Sequence, residues 1–304
     1  MKRLEGKAVV ITGAARGLGE AYARAAADEG AMLVLNDIDG DPLARVVEEL
    51  AAAGTGVIAQ PGDVSNWDFA ASLVARCIEN FGRIDGLVNN AGVLVMKPIE
   101  EQDEASFRRQ IEVNLIGQAF CGIHALRPMM AQGSGSVVNS FSGAQSGSAF
   151  RCAYGAASAG VGGLTSAWAA ECAGRGVRVN AVAPIAATRE IDETEPVLRR
   201  LHAAGRIGPE FLKLRETMGS MTPAMNAPLV IFLLCDAAVR VNGQALRLNG
   251  NRLHLVTRPA ARAPVLESDD WTVERIAQAF AQDWQDKLLP LGMAEFDMTY
   301  IGKA

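Results

Sequence analysis

The sequence predicts an α/β fold: a doubly wound parallel sheet with helices on both faces. Three observations carry this. Short apolar runs alternate with longer stretches of helical character. The first runs are unbroken rather than alternating, as strands buried on both faces require. Small polar residues and glycines follow the runs, at the strand ends where such sheets bind ligands.

Ala8-Val9-Val10-Ile11 is the first strand, ended by Thr12-Gly13. Gly19 to Asp28 is Ala-rich and helical, with Gly30 as its stop. Ala31 to Leu35 is a second strand running into Asn36-Asp37. Asp41 to Ala53 predicts a helix capped by Asp41, with Pro42 at its first position. Val57 to Gln60 is a third strand, leading into Gly62-Asp63-Val64. Asp68 to Phe81 reads as a helix, and Gly86-Leu87-Val88 as a strand into Asn89-Asn90-Ala91-Gly92. Glu101 to Met130 predicts one long helical stretch. Ser136 to Phe141 is a strand, Tyr154 to Gly174 a small-residue helix, and Val177 to Val182 a strand ending at Ala183-Pro184. Such alternation predicts right-handed crossovers.

Thr188 to Thr222 breaks the rhythm. It is polar and mixed in sign, and reads as an excursion over a substrate cleft. Ala227 to Cys235 resumes as a helix and Gln244 to Leu248 as a final strand. Residues 1–250 are thus expected to form one domain and 251–304 a C-terminal helical extension. Its helix should open at Ser268-Asp269-Asp270-Trp271 and reach Lys287.

The 304 residues, 49% hydrophobic and 21% charged, suit a large globular core. A net charge of -5 with no Lys/Arg stripe argues against nucleic acid as a partner. No apolar run reaches the length of a membrane span, so no membrane association is expected. Cys77, Cys121, Cys152, Cys172 and Cys235 form no CxxC pair and read as buried free thiols in a reducing compartment. His124, His202 and His254 lack ligand spacing, so no metal site is expected. No signal peptide is visible, and the expected location is cytoplasmic.

Thr12-Gly13-Ala14-Ala15-Arg16-Gly17-Leu18-Gly19 lies between the first strand and the first helix. Glycines there let the backbone approach a pyrophosphate, and the helix N-terminus offers free N–H groups. With an acid at the end of strand two, this is the pattern of a Rossmann-type dinucleotide site. Asp37 can accept hydrogen bonds from both adenosine ribose hydroxyls and would repel a 2′-phosphate, which predicts NAD. Arg16 is the opposing signal, since a basic residue in the turn could pair with that phosphate.

Taken together, Thr12-Gly13-x-x-x-Gly17-x-Gly19, Asp63, Asn89-Asn90-Ala91-Gly92, Asn114, Ser142, Tyr154 and Pro184 resemble the short-chain dehydrogenase/reductase family. They fall in the family's order with near-family spacing across residues 1–250. Asn36-Asp37, the stretches 179–184 and 221–235, and the C-terminal extension resemble the dehydrogenase domain of peroxisomal multifunctional β-oxidation enzymes. The resemblance implies that Asp63 and Val64 hold the adenine, and that Asn90, Ala91 and Gly92 line the cofactor cleft. It implies that Thr188 meets the nicotinamide carboxamide, near Pro184 and Ile185. Ser142 would hydrogen-bond the substrate oxygen, Tyr154 would exchange a proton with it, and Asn114 would position a water in the proton relay. A homodimer or homotetramer, built partly on the helices within 101–130 and 154–174, is also implied.

The pattern breaks at one place. The family's Tyr-x-x-x-Lys reads here as Tyr154-Gly155-Ala156-Ala157-Ser158. At this helical spacing Ser158 shares a face with Tyr154 and stands where the ammonium would be. There the lysine would hold a ribose hydroxyl and lower the tyrosine's pKa. A hydroxyl can do part of the first job and almost none of the second. A free tyrosine, with a pKa of about 10, is ionised in about one molecule in a thousand at pH 7. Alcohol oxidation, which needs the phenolate, should suffer most. The segment from Ser142 to Tyr154 is also one residue short, and Ile185 replaces the glycine expected after Pro184. Arg151 is a candidate source of compensating charge.

The leading expectation is an NAD-dependent oxidoreductase interconverting a secondary alcohol and ketone, with hydroxyacyl thioesters among the candidate substrates. Two alternatives stay open. One is a catalytically impaired cofactor-binding subunit that partners an active homologue. The other is a non-redox lyase or dehydratase reusing Ser142 and Tyr154.

Overall fold

A computed structural model describes residues 2–209, 221–257, 259, 261 and 263–288. Eight strands form one sheet in the order β3-β2-β1-β4-β5-β6-β7-β8. They are β1 (Ala8–Thr12), β2 (Met32–Asn36), β3 (Val57–Ala59), β4 (Gly86–Asn89), β5 (Gly135–Ser140), β6 (Val177–Val182), β7 (Ala245–Asn249) and β8 (Arg252–Val256). The first seven run parallel, and β8 pairs antiparallel with β7. The chain winds from β1 to β3 in one direction and from β4 to β8 in the other. The order therefore reverses between β1 and β4, which opens a crevice at their carboxyl ends.

Strand alternation sends side chains to two apolar layers. Val9, Ile11, Leu33 and Leu35 pack with α1 (Gly17–Asp28), α2 (Gly40–Ala52) and α8 (Ala227–Leu234). Ala8, Val10, Val34 and Leu87 pack with α3 (Trp67–Phe81), α5 (Gln118–Gln132) and α6 (Cys152–Glu171). All five residues of β1 are buried, as its unbroken apolar run requires. Burying each Val, Leu or Ile contributes roughly 1.5–3 kcal/mol, so β1 is held from both sides.

Several boundaries differ from the sequence reading, each for a physical reason. α2 begins at Gly40, and Asp39 rather than Asp41 occupies its cap position. Asp39 makes no cap hydrogen bond because its carboxylate holds Arg16. The expected long helix over 101–130 is two helices, α4 (Glu104–Ile111) and α5, joined by one wide π turn over Glu112–Gly117. Such turns gather at functional sites, and this one carries Asn114.

Cys152 opens α6 and is exposed, so the expectation of five buried thiols fails there. Burial pushes the Cys77 and Cys121 thiols up to about 12, which leaves them inert. The sheet also runs past residue 250. β8, with its alternation of Leu253 and Leu255 against Arg252, His254 and Val256, is an edge strand where a helical extension was expected. A helix does follow, α9 (Val273–Ala279), capped by Thr272 Oγ1 accepting from the Arg275 amide at 3.2 Å. No helix among the described residues is long and apolar enough to cross a membrane.

The expected excursion opens with α7 (Arg189–Ala203). Its Leu198 and Leu201, with Ile207, pack on Met96 and Phe150, which fixes the helix over the sheet's carboxyl edge. Arg200 pairs with Glu101 at 2.6 Å, and Arg206 with Glu100. Residues 210–220 of the excursion lie outside the described residues, as does the chain beyond 288.

Candidate active site

One cleft of about 630 Å³ opens along the carboxyl ends of the strands. The glycine turn forms one end of it. Gly13 has φ of +65°, and a Cβ there would sit 2.8 Å from Ala91 Cα. A Cβ on Gly19 would collide with the Gly13 carbonyl, so α1 and the turn approach as only glycine allows. Arg16, at the N-cap of α1, has no side-chain oxygen to cap the first helical turn, and its main-chain carbonyl accepts the Glu20 amide at 3.3 Å. Gly17 and Leu18, which open the helix, line the cleft, with the positive end of the helix dipole behind them.

Thr12 holds this turn to the next strand end. Its Oγ1 accepts the amides of Asn90 at 3.0 Å and Ala91 at 3.1 Å. The Asn90 side chain donates to the carbonyls of Thr12 and Gly13. Thr12 and Gly19 therefore act from behind the cleft wall, whereas Gly13, Gly17, Leu18, Asn90, Ala91 and Gly92 line it.

Asp37 stands at the rim. Its two carboxylate oxygens accept the amides of Ala15 at 3.0 Å and Asp39 at 3.1 Å, which fixes the side chain while each oxygen keeps a further lone pair. Arg16 is ion-paired with Asp39. Asp63 and Val64 line the cleft farther along. Burial raises the Asp63 carboxyl, but the Ser65 hydroxyl and amide and the Arg109 guanidinium outweigh it and hold the group below its ordinary value. The Arg109–Asp63 distance is 2.8 Å.

The opposite wall carries Asn114, Ser142, Tyr154 and Ser158. Ser142 caps a short 3-10 turn, and its Oγ accepts the Ala144 amide at 3.2 Å. Tyr154 lies in the first turn of α6, half-buried, with Ser158 one turn on and 5% exposed. Pro184, Ile185 and Thr188 line the cleft after β6. The Ile185 carbonyl accepts from Asn226 at 2.9 Å, and Thr188 faces Gly17.

Asn114 is more constrained than the sequence suggests. Its side-chain amide makes a two-way pair with Val93, each bond 2.8 Å. Its main-chain carbonyl accepts the Gln118 side chain at 2.9 Å, and Gln118 also donates to the Ser140 carbonyl at 2.8 Å. Gln118 Oε1 and Ser140 Oγ are buried with no hydrogen-bond partner among the described residues. Gln118, Ser140, Asp39, Arg109 and Arg247 all line the cleft, and sequence reasoning missed them. A cation between two leucines of a strand was the available signal for Arg247.

Fixed amides at a helix start, a rim carboxylate and glycines with no room for Cβ fit a dinucleotide. No group of three or more His, Cys, Asp or Glu gathers as a metal site among the described residues.

The chain matches the family model for short chain dehydrogenase over residues 7–195. It is 40% identical over 250 residues to a cis-4-hydroxycyclohexanecarboxylate dehydrogenase of Sinomonas cyclohexanicum, covering 80% of this chain and 95% of that one. It is 34% identical to a 1,6-dihydroxycyclohexa-2,4-diene-1-carboxylate dehydrogenase of Pseudomonas putida, covering 83% and 94%. The fold superposes on the crystal structure of a short chain dehydrogenase from Mycobacterium avium with a TM-score of 0.80 at 30% identity, covering 96% and 99%. Sequence and fold thus agree over most of the molecule, and the chain belongs to the short-chain dehydrogenase family.

Proposed function

We propose that this protein is an NAD-dependent oxidoreductase that interconverts a secondary alcohol and its ketone, with Ser158 where the family places a lysine. The observation that carries the reading is a single cleft joining the glycine turn and Asp37 to Ser142 and Tyr154.

When bound, the nicotinamide supplies or accepts the hydride. The chain does the rest. Ser142 Oγ already accepts an amide, so its proton is available to the substrate oxygen. Tyr154 gives a proton to that oxygen in reduction and takes it in oxidation. Ser158 offers its hydroxyl to a ribose. Thr188 meets the carboxamide, and Pro184 and Ile185 back the ring. Asp63 and Val64 hold the adenine. Asn114, with its side chain tied to Val93, serves a proton relay only through backbone already shared with Gln118.

NAD is favoured over NADP by charge. Asp37 and Asp39 stand together at the rim, and Arg16, the cation that could greet a 2′-phosphate, is held by Asp39. Asp37→Asn is expected to weaken NADH binding by roughly tenfold, because charge-assisted hydrogen bonds to the ribose are each worth about 1.5–3 kcal/mol. NADPH should lose nothing or gain. Fluorescence titration of both cofactors checks this, and an unchanged NADH to NADPH ratio would count against the assignment.

By their names, two relatives act on ring hydroxy acids, which makes a carbocyclic hydroxy acid the first substrate class to screen. Hydroxyacyl thioesters come next, from the likeness to peroxisomal multifunctional enzymes. A cytoplasmic homodimer or homotetramer packed through α4, α5 and α6 belongs to the same proposal.

The test is a fluorescence titration with NADH, followed by absorbance on adding candidate ketones. Binding with turnover is expected. Tight binding without turnover would point to an impaired subunit partnering an active homologue. Absence of binding would overturn the redox reading in favour of a lyase or dehydratase.

A further inference from the structure

We propose that Arg247 makes the substrate half of the cleft a carboxylate-binding site, so that the substrate is an alcohol or ketone bearing a free carboxylate. The identity of the substrate rests on the oxidoreductase reading; the binding of a carboxylate does not.

Arg247 lies on β7, opposite His254 of β8. Its neighbours Leu246 and Leu248 join the apolar layer beneath α1 and α8, so strand alternation turns Arg247 to the other face. There it is only 4% exposed, yet it lines the cleft. Its guanidinium reaches the residue after Ser142: a Cβ on Gly143 would sit 2.5 Å from Arg247 Nη2. Gly143 thus leaves room for a cation against the turn that Ser142 caps.

Three further cleft cations, Arg16, Arg109 and Arg189, pair with Asp39, Asp63 and Glu193 and belong to the cofactor end. Arg247 stands at the Ser142–Tyr154 end, and Arg151, three residues before Tyr154, adds a second guanidinium to that wall. The same cleft offers apolar surface from Leu94, Met96, Phe141, Phe150 and Leu198. Such a wall suits a hydrocarbon frame and lowers the local dielectric, which strengthens a charge pair. A guanidinium carries five donors in a planar fork, so bonds to the protein along one edge are compatible with a bidentate grip on a carboxylate along another. An arginine buried on a cleft wall, next to the oxygen-binding serine, is therefore placed to hold a carboxylate to one side of the reacting carbon.

The test uses the full chain with saturating NADH and two probes of one shape, cyclohexanecarboxylate and cyclohexanecarboxamide, titrated by calorimetry. The acid is expected to bind at least tenfold more tightly than the amide. Arg247→Met should weaken the acid by roughly 10- to 100-fold, as expected for hydrogen bonds to a charged group, and leave the amide and NADH unchanged. Arg247→Lys should recover part of the loss. Gly143→Ala, which pushes on the flexible end of the guanidinium, should weaken the acid alone and provides a second variant should Arg247→Met not fold. Equal affinity of acid and amide for the unaltered protein would overturn the proposal. So would binding of neither, or an equal loss of both in Arg247→Met, since the arginine would then only brace the Ser142 turn. If NADH fails to bind while the protein alone still prefers the acid, the oxidoreductase reading falls and the carboxylate site stands.

Discussion

Ser158→Lys is expected to raise the rate of alcohol oxidation at pH 7 by up to about a thousandfold, and to change ketone reduction far less. Oxidation draws the substrate proton onto a phenolate. An ordinary tyrosine, with a pKa of about 10, supplies that form in about one molecule in a thousand at neutral pH. A nearby ammonium that lowers the value by about three units selectively stabilises the phenolate by roughly 4 kcal/mol, and the ionised fraction rises in step. Reduction uses the neutral phenol, which is populated with or without the ammonium.

The sign of the pH dependence follows. In the unaltered protein, oxidation should climb steadily from pH 7 to 10. In Ser158→Lys the same rise should be complete at lower pH, leaving a plateau above neutrality. Ser158 lines the cleft one helical turn beyond Tyr154, so a lysine at this position projects from the same face of α6. NADH formation followed across pH 6–10 for both proteins checks the prediction. Superimposable profiles would show that no phenolate is being awaited, and that Ser158 is not a gap in the machinery.

Much of this architecture was legible beforehand because parallel strands buried on both faces leave unbroken apolar runs. The glycine turn was legible because backbone packed against backbone admits only glycine, as the Gly13–Ala91 approach demonstrates. What stayed hidden depends on tertiary pairing. That Arg16 is committed to Asp39 follows from how the turn meets β2, and no local spacing encodes it. The π turn at Asn114 is one residue of extra helical register, which leaves no mark in composition. β8 was hidden differently: its alternation is visible in Arg252-Leu253-His254-Leu255-Val256, but an edge strand antiparallel to its neighbour breaks the parallel pattern that predicted the rest. Gln118 opens α5 beside the π turn, and Arg247 sits between two leucines of β7. Only the fold shows that both face the cleft.

Tyr154→Phe is expected to cost about 10²- to 10⁴-fold in both directions, the usual range for removing a positioned general acid or base. The substitution keeps the ring, so the first turn of α6 should pack as before and NADH affinity should change by no more than about twofold. The loss therefore belongs in kcat, because the hydroxyl acts on the reacting oxygen and contributes little to holding the substrate. Ser142→Ala should differ in kind. Toward the substrate its hydroxyl only donates, so a loss of roughly 10²-fold is expected, near the lower end for a single oxygen-stabilising donor, together with loss of the cap on the Ala144 amide. If water can replace the phenol in oxidation at high pH, Tyr154→Phe will recover there while Ser142→Ala will not, which separates proton transfer from oxygen binding. A Tyr154→Phe protein keeping more than about a tenth of its activity in both directions at pH 7 would mean that the proton travels by another route. The assignment of Tyr154 as the proton-exchanging group would then be lost.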